Sequence, residues 1–256
     1  MPRSPFPPRS TLLLWLSLIS ILASCGGKEA SQLTFPEQAV KTPDLSDAGF
    51  IEGVAVFEGT PPKRQKIRPG DGHCAGEFLS EDVIVNGDRL ANVVVFVSRG
   101  LDGFVFPHVR TPAVLNQIGC RFVPHVLAVQ THQPVEIKNG DPTTHNVNTT
   151  QSRRGQGFNE SMSQQGQVRV RQFPNVELSI PVTCEVHSWM LAYVHVFDHP
   201  HFAVTGEDGA FRIGKLPPGS YRISALHERF GRHDVDVTVT PGAVTRIDPS
   251  RLTFSP

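Results

Sequence analysis

Apolar residues along this chain recur at short intervals rather than at helical ones. Phe50-Ile51-Glu52-Gly53-Val54-Ala55-Val56-Phe57 opens a series of brief apolar runs, and Asn92-Val93-Val94-Val95-Phe96-Val97 is another of strand length. Residues 126–130 and 134–138 read as two more strands, separated by the turn Thr131-His132-Gln133. Val176, Leu178, Ile180, Val182 and Cys184 take alternate positions, which in a regular strand puts all five on one face. No stretch sustains a 3.6-residue period. The pattern predicts an all-β fold, a sandwich of many short strands. Residues 151–167, rich in Gln, Gly and Ser and carrying Arg153-Arg154, break the rhythm and are expected to form a long exposed loop. After Asp198 the texture changes. Thr205-Gly206-Glu207-Asp208-Gly209-Ala210-Phe211-Arg212-Ile213 reads as strand, Asp-Gly turn, strand, and Leu216-Pro217-Pro218-Gly219-Ser220-Tyr221 repeats the idea with a Pro-Gly turn.

Composition adds mainly exclusions. The 256 residues allow one large or two modest domains, and 22 Gly with 22 Pro suit a turn-rich β fold. With 24 basic against 24 acidic side chains and only 19% charged residues, a nucleic-acid binder is disfavoured. The first apolar run, residues 11–23, follows Arg3 and Arg9 and is short for a bilayer span, which is the layout of a secretory signal. It ends in Leu22-Ala23-Ser24-Cys25-Gly26-Gly27, which resembles a bacterial lipobox. That resemblance implies removal of residues 1–24 and acylation of Cys25. Residues 25–47 are then a flexible tether with a reach of roughly 25 Å. The expected location is the cell envelope, lipid-anchored on the periplasmic face or cell surface. Gly26 after the cysteine favours the outer membrane.

Four cysteines are too few for a disulfide scaffold of this length, so each needs its own account. With Cys25 acylated, Cys74 and Cys120 form the natural disulfide, worth about 4 kcal/mol by loop-closure entropy. A second metal site built from His73, Cys74, Cys120 and His125 is the alternative. Cys184 remains, in Cys184-Glu185-Val186-His187-Ser188-Trp189-Met190, a Cys-x2-His-x2-Met spacing at the end of a strand. About forty residues earlier stands Asn139-Gly140-Asp141-Pro142-Thr143-Thr144-His145-Asn146-Val147. His145, Cys184, His187 and Met190 together supply two imidazoles, a thiolate and a thioether, the donor list of a mononuclear blue-copper site. Met is a poor zinc ligand, which argues against a structural zinc site.

On these residues the region 50–197 resembles a cupredoxin with the short amicyanin-type ligand loop. Gly119-Cys120-Arg121-Phe122-Val123-Pro124-His125-Val126 and Asp141-Pro142-Thr143-Thr144-His145-Asn146-Val147 are similar to bacterial secreted methylamine-utilisation-like proteins. The resemblance implies a Greek-key β-sandwich over residues 48–198 with one type 1 copper ion on His145, Cys184, His187 and Met190. It implies that Asn146 hydrogen-bonds across to the cysteine loop. It also implies that His187 is the exposed-edge ligand, beside an apolar docking patch of Trp189, Met190 and Leu191. Residues 199–256 resemble the carboxypeptidase regulatory-like β-sandwich. They are short for it, and residues 50–57 also fit that family's opening strand. The function implied is one-electron transfer between envelope redox partners, such as a c-type cytochrome or a dehydrogenase, by a monomer that transforms no substrate. Copper sequestration, or a scaffold or adhesion role for the sandwiches, are the alternatives.

Overall fold

The structure is a computed structural model that describes residues 41–69, 72–74 and 76–256. The signal segment, the lipidation of Cys25 and most of the tether lie outside the described residues. Residues 41–47 of the expected tether are already fixed to the fold, since Lys41 pairs with Phe104 and its amide donates to Gly103 O at 2.9 Å. The described chain is all-β, with one 3₁₀ turn at Pro249–Leu252. No helix among the described residues is long and apolar enough to cross a membrane.

Two sheets enclose the first core. One has the order Val126–Gln130, Leu191–Phe197, Glu177–Thr183, His145–Asn148, Asn159–Met162. The other has the order Val168–Arg171, Val135–Asn139, Ala113–Gln117, Phe122–Val123. Leu115, Phe122, Ile137, Val147, Ile180, Val182, Val194 and Val196 are buried between them. Residues 151–167 are thus only partly loop. Asn159–Met162 pairs antiparallel with His145–Asn148, because His145 and Val147 need a neighbouring strand on this edge to satisfy their backbone groups.

The five-residue alternation at 176–184 does not survive as one face. Ser179 adopts φ 57°, and the register against Leu191–Phe197 shifts between Glu177 and Ile180. This bulge inserts one residue and turns the strand over. Ile180, Val182 and Cys184 keep to the core, whereas Leu178 packs in a separate apolar layer and Val176 is exposed.

A second sandwich takes strands from both ends of the chain. Gly49–Val54 pairs with Ala210–Leu216 on one side and Val244–Arg246 on the other. Val94–Arg99 lies between Phe202–Val204 and Gly219–His227, and Val56–Phe57 lies beside Thr253–Phe254. The strand pairing crosses the expected division at residue 198. All the strands up to Arg99 that join these sheets complete the C-terminal sandwich, whose own residues supply too few strands to bury two faces. The expected hairpin around Asp208-Gly209 is likewise a corner between sheets, since its flanking strands pair with Gly49–Val54 and Val94–Arg99 rather than with each other.

The run at 92–97 is continuously apolar for a physical reason. Val95 and Val97 enter the second core, while Val94 and Phe96 point the other way, onto Val126, Phe197 and Leu178 of the first sandwich. At the edge of this layer His125 is buried against Glu228. Its Nδ1 lies 3.1 Å from the Leu191 carbonyl, which fixes a proton there, and its Nε2 meets the Glu228 carboxylate.

Two expectations follow. A chain ended after Asp198 strips both neighbours from Val94–Arg99. It should show neither a β-sheet circular dichroism spectrum nor a cooperative melt. The second concerns His125, whose pKa burial lowers but the Glu228 carboxylate, the Glu81 charge and the Leu191 carbonyl together raise by more, leaving it above the ordinary 6.5. The pair's stabilisation is therefore full below about pH 6.5 and is lost as pH rises through the raised value. Glu228→Gln should cost about 3 kcal/mol at pH 6, as expected for one partner removed from a buried pair, with a smaller difference at pH 9, read by urea denaturation.

Candidate metal centre

The loop carrying Cys184, His187 and Met190 joins two neighbouring antiparallel strands, Glu177–Thr183 and Leu191–Phe197. It is closed by its own backbone. The Cys184 amide lies 3.4 Å from Met190 O, and the Met190 amide donates to His187 O at 2.9 Å. His145 opens the adjacent strand, so the imidazole and the thiol enter the same end of the sandwich. All four side chains are buried, His145 completely.

The donor atoms converge. His145 Nδ1 and His187 Nδ1 are 2.9 Å apart, and Cys184 Sγ is 3.8 Å from His187 Nδ1. One donor atom from each of His145, Cys184 and His187 lies within 4.8 Å of the others. Met190 is packed in the same cluster as Cys184. Cys184 is a free thiol, approached at 3.4 Å by the amide of Asn146.

Asp141, to which the sequence reading gave no role, controls this geometry. Its carboxylate accepts the amides of Gly119 at 2.8 Å and Cys120 at 2.9 Å, and lies 2.9 Å from His145 Nε2. A carboxylate so placed is an acceptor, so Nε2 carries the proton and a neutral His145 presents the Nδ1 lone pair inward. Asn139 shapes the turn by accepting the Asp141 amide at 3.0 Å and donating to Thr143 O at 2.9 Å. The signal for Asp141 was a carboxylate four residues before a candidate ligand histidine.

Asn146 reaches across to the ligand loop. Its side-chain oxygen accepts the amide of Glu185, inside the ligand loop, and its Nδ2 donates to Asn159 at 2.7 Å. The Glu185 carboxylate in turn accepts from Asn148 at 2.8 Å and Asn159 at 2.9 Å. The loop is thereby tied to both strands beside it.

The expected exposed edge at His187 is corrected. His187 is 2% exposed, because Cys74 Sγ lies 3.4 Å from its Nε2 and the Trp189 ring stands 5.1 Å away. Cys74 and Cys120 form the disulfide, with Cα atoms 5.7 Å apart. Trp189 Nε1 donates to Cys120 O at 3.1 Å, and the half-buried Trp189 and Leu191 line a recess together with the buried Met190. The alternative site from His73, Cys74, Cys120 and His125 is not assembled, since His125 is engaged with Leu191 and Glu228. Three other histidines, His195, His201 and His227, are pushed down to about 4 mainly by burial, and are neutral at neutral pH.

The residues fit a thiophilic transition metal. Donors on one ion with bonds of about 2.0–2.3 Å stand at most about 4.4 Å apart, a limit that 2.9 and 3.8 Å satisfy. The outer nitrogen of His145 donates to Asp141, so the His145 Nδ1 lone pair points inward, toward His187 Nδ1.

Comparison with known proteins gives three results. The family model of the carboxypeptidase regulatory-like domain matches residues 191–251, beginning inside the strand that follows the ligand loop. No curated protein matches the chain. Among solved structures, a copper-containing nitrite reductase from Thermus scotoductus SA-01 is 17% identical over 40% of this chain, with a TM-score of 0.32. This chain covers 25% of that reductase, so it spans only a quarter of its length. A Cu(I) form of an amicyanin mutant is 17% identical over 33% of this chain and 81% of its own, with a TM-score of 0.30. An oxidised amicyanin mutant is 16% identical, over 40% of this chain and 97% of its own, again at 0.30.

The centre's geometry sets an expectation for Asp141. Asp141→Asn replaces one accepting oxygen with an amide and frees the His145 ring, so metal affinity should fall by about 10–100-fold. Competition against a chromophoric chelator measures this, and an unchanged circular dichroism spectrum separates it from unfolding.

Proposed function

We propose that this chain is a type 1 (blue) copper protein that passes single electrons between envelope redox partners and is held to a membrane through an acylated Cys25. The observation that carries the reading is the convergence of His145 Nδ1, His187 Nδ1 and the free Cys184 thiol in a buried pocket with Met190 beside them. When bound there, copper supplies one-electron chemistry between Cu(II) and Cu(I). Soft sulfur donors suit the reduced ion and imidazoles the oxidised one.

The protein's part is to hold these donors still. Asp141 locks the His145 tautomer, Asn146 braces Cys184 and its loop, and the Cys74–Cys120 bridge packs on the far side of His187. Donors fixed in this way have little freedom to rearrange when the charge of the site changes. The lipobox-like end of the leader supports an envelope location, and c-type cytochromes or a dehydrogenase are the partner classes this chemistry suits.

A second reading, copper holding without electron exchange, is favoured by one feature. The ligand expected to face a partner is covered by a disulfide.

The test is to load the chain with Cu(II) and record its visible spectrum. Electron transfer predicts an intense thiolate-to-copper band that is lost in Cys184→Ser, with rapid exchange against a c-type cytochrome in stopped flow. Full copper occupancy without that band supports holding, and absence of copper uptake overturns both.

A further inference from the structure

The disulfide lies against the metal centre from outside. Cys74 Sγ is 3.4 Å from the outer nitrogen of His187. On the other arm, Cys120 Sγ, an Asp141 carboxylate oxygen and a ring nitrogen of His145 lie within 4.8 Å of one another. The Cys120 amide already donates to Asp141 at 2.9 Å, so backbone and side chain hold sulfur and carboxylate together. Cys74, Cys120, Asp141, His145 and His187 are all buried. Two sulfurs and a carboxylate in one buried volume form a donor set for a soft or borderline ion. While the sulfurs are bonded to each other, neither is a thiolate and the set is incomplete.

We propose that the Cys74–Cys120 disulfide is a redox lock on a second metal site, formed by Cys74, Cys120 and Asp141. Opening the lock needs two electrons and two protons. A dithiol reductant supplies them by exchange, its own thiols closing to a disulfide while Cys74 and Cys120 become thiols. A thiophilic divalent ion or Cu(I) then displaces the two thiol protons. Two thiolates beside the Asp141 carboxylate would otherwise place three negative charges in a buried volume, which a bound cation offsets.

The consequence is control over where metal goes. A reduced chain offers two adjoining soft sites. An oxidised chain offers only the site on Cys184. Closing the disulfide before loading makes the chain selective for that site. This holds whether or not the inner site carries electrons.

The experiment uses the full chain with Cys184→Ser, which removes the inner thiolate, and cadmium as the probe. Cadmium is added before and after reduction with a phosphine, thiols are counted with a chromogenic disulfide, and the ultraviolet thiolate-to-cadmium band is followed. The expected result is no band in the oxidised chain and a saturable band at one equivalent in the reduced chain. Asp141→Asn in the same background should weaken uptake at least tenfold. Two titratable thiols without a cadmium band overturn the proposal. So does a reduced chain that loses its β-sheet circular dichroism and does not recover it with cadmium. A reduced chain that unfolds without metal and refolds with it supports the site.

Discussion

Two imidazoles, a thiol and a carboxylate lie almost without solvent inside an apolar core, and such groups are tolerated there only when their hydrogen-bonding capacity is met. Asp141 meets much of it. One carboxylate takes two backbone amides from the turn at Gly119-Cys120 and the ring of His145, joining the disulfide, the turn and a candidate ligand histidine. The rest of the site depends on this junction. The turn carrying Cys120 sets where the bridge lies, the bridge covers His187, and His187 faces His145 across 2.9 Å. Leaving those three donors unpaired in the interior would cost about 1–3 kcal/mol each.

The same junction explains why the two sandwiches are not independent. Val56–Phe57 and Val85–Asn86 both belong to a sheet of the second sandwich, yet the segment between them carries Cys74 to a candidate ligand histidine of the first. The cover over the site is therefore delivered by the other sandwich. The apolar layer of Val94, Phe96, Val126 and Phe197 and the His125–Glu228 pair hold the two together along the same seam. A change that loosens this seam is expected to reach the metal centre through the bridge, without touching any donor.

Residue spacing carried the site better than the fold's connectivity. Cys184, His187 and Met190 share one tight loop, so their proximity is local. His145 needed only the pairing of neighbouring strands. The disulfide was legible because the chain has so few cysteines. Three features were not legible, each for a physical reason. The bulge at Ser179 rests on one residue with positive φ, which leaves no trace in an alternating apolar pattern. The exchange of strands between sandwiches follows from which edges lack partners, a non-local property. The run at 92–97 did carry a trace of it, since a strand covered on both faces is apolar throughout. The burial of His187 depends on a contact between residues 113 positions apart, which no loop motif encodes.

On the proposed reading, that burial changes how an electron reaches the metal. A partner cannot rest against an open imidazole edge, because the disulfide occupies that place. Two routes are left by the packing. One passes through the sulfurs of the bridge, in contact with His187 on the inside. The other opens from a recess of about 370 Å³ lined by Trp189, Met190, Leu191 and Arg121, where a side chain expected to ligate the metal forms part of the wall. The charged groups around that recess are matched in pairs, Arg121 with Glu81, Arg229 with Asp82 and His125 with Glu228. The recess therefore has no strong net charge with which to steer a partner from a distance. Docking there relies on shape and short-range contact, so association should be slower and less sensitive to salt than for a centre ringed by one sign of charge.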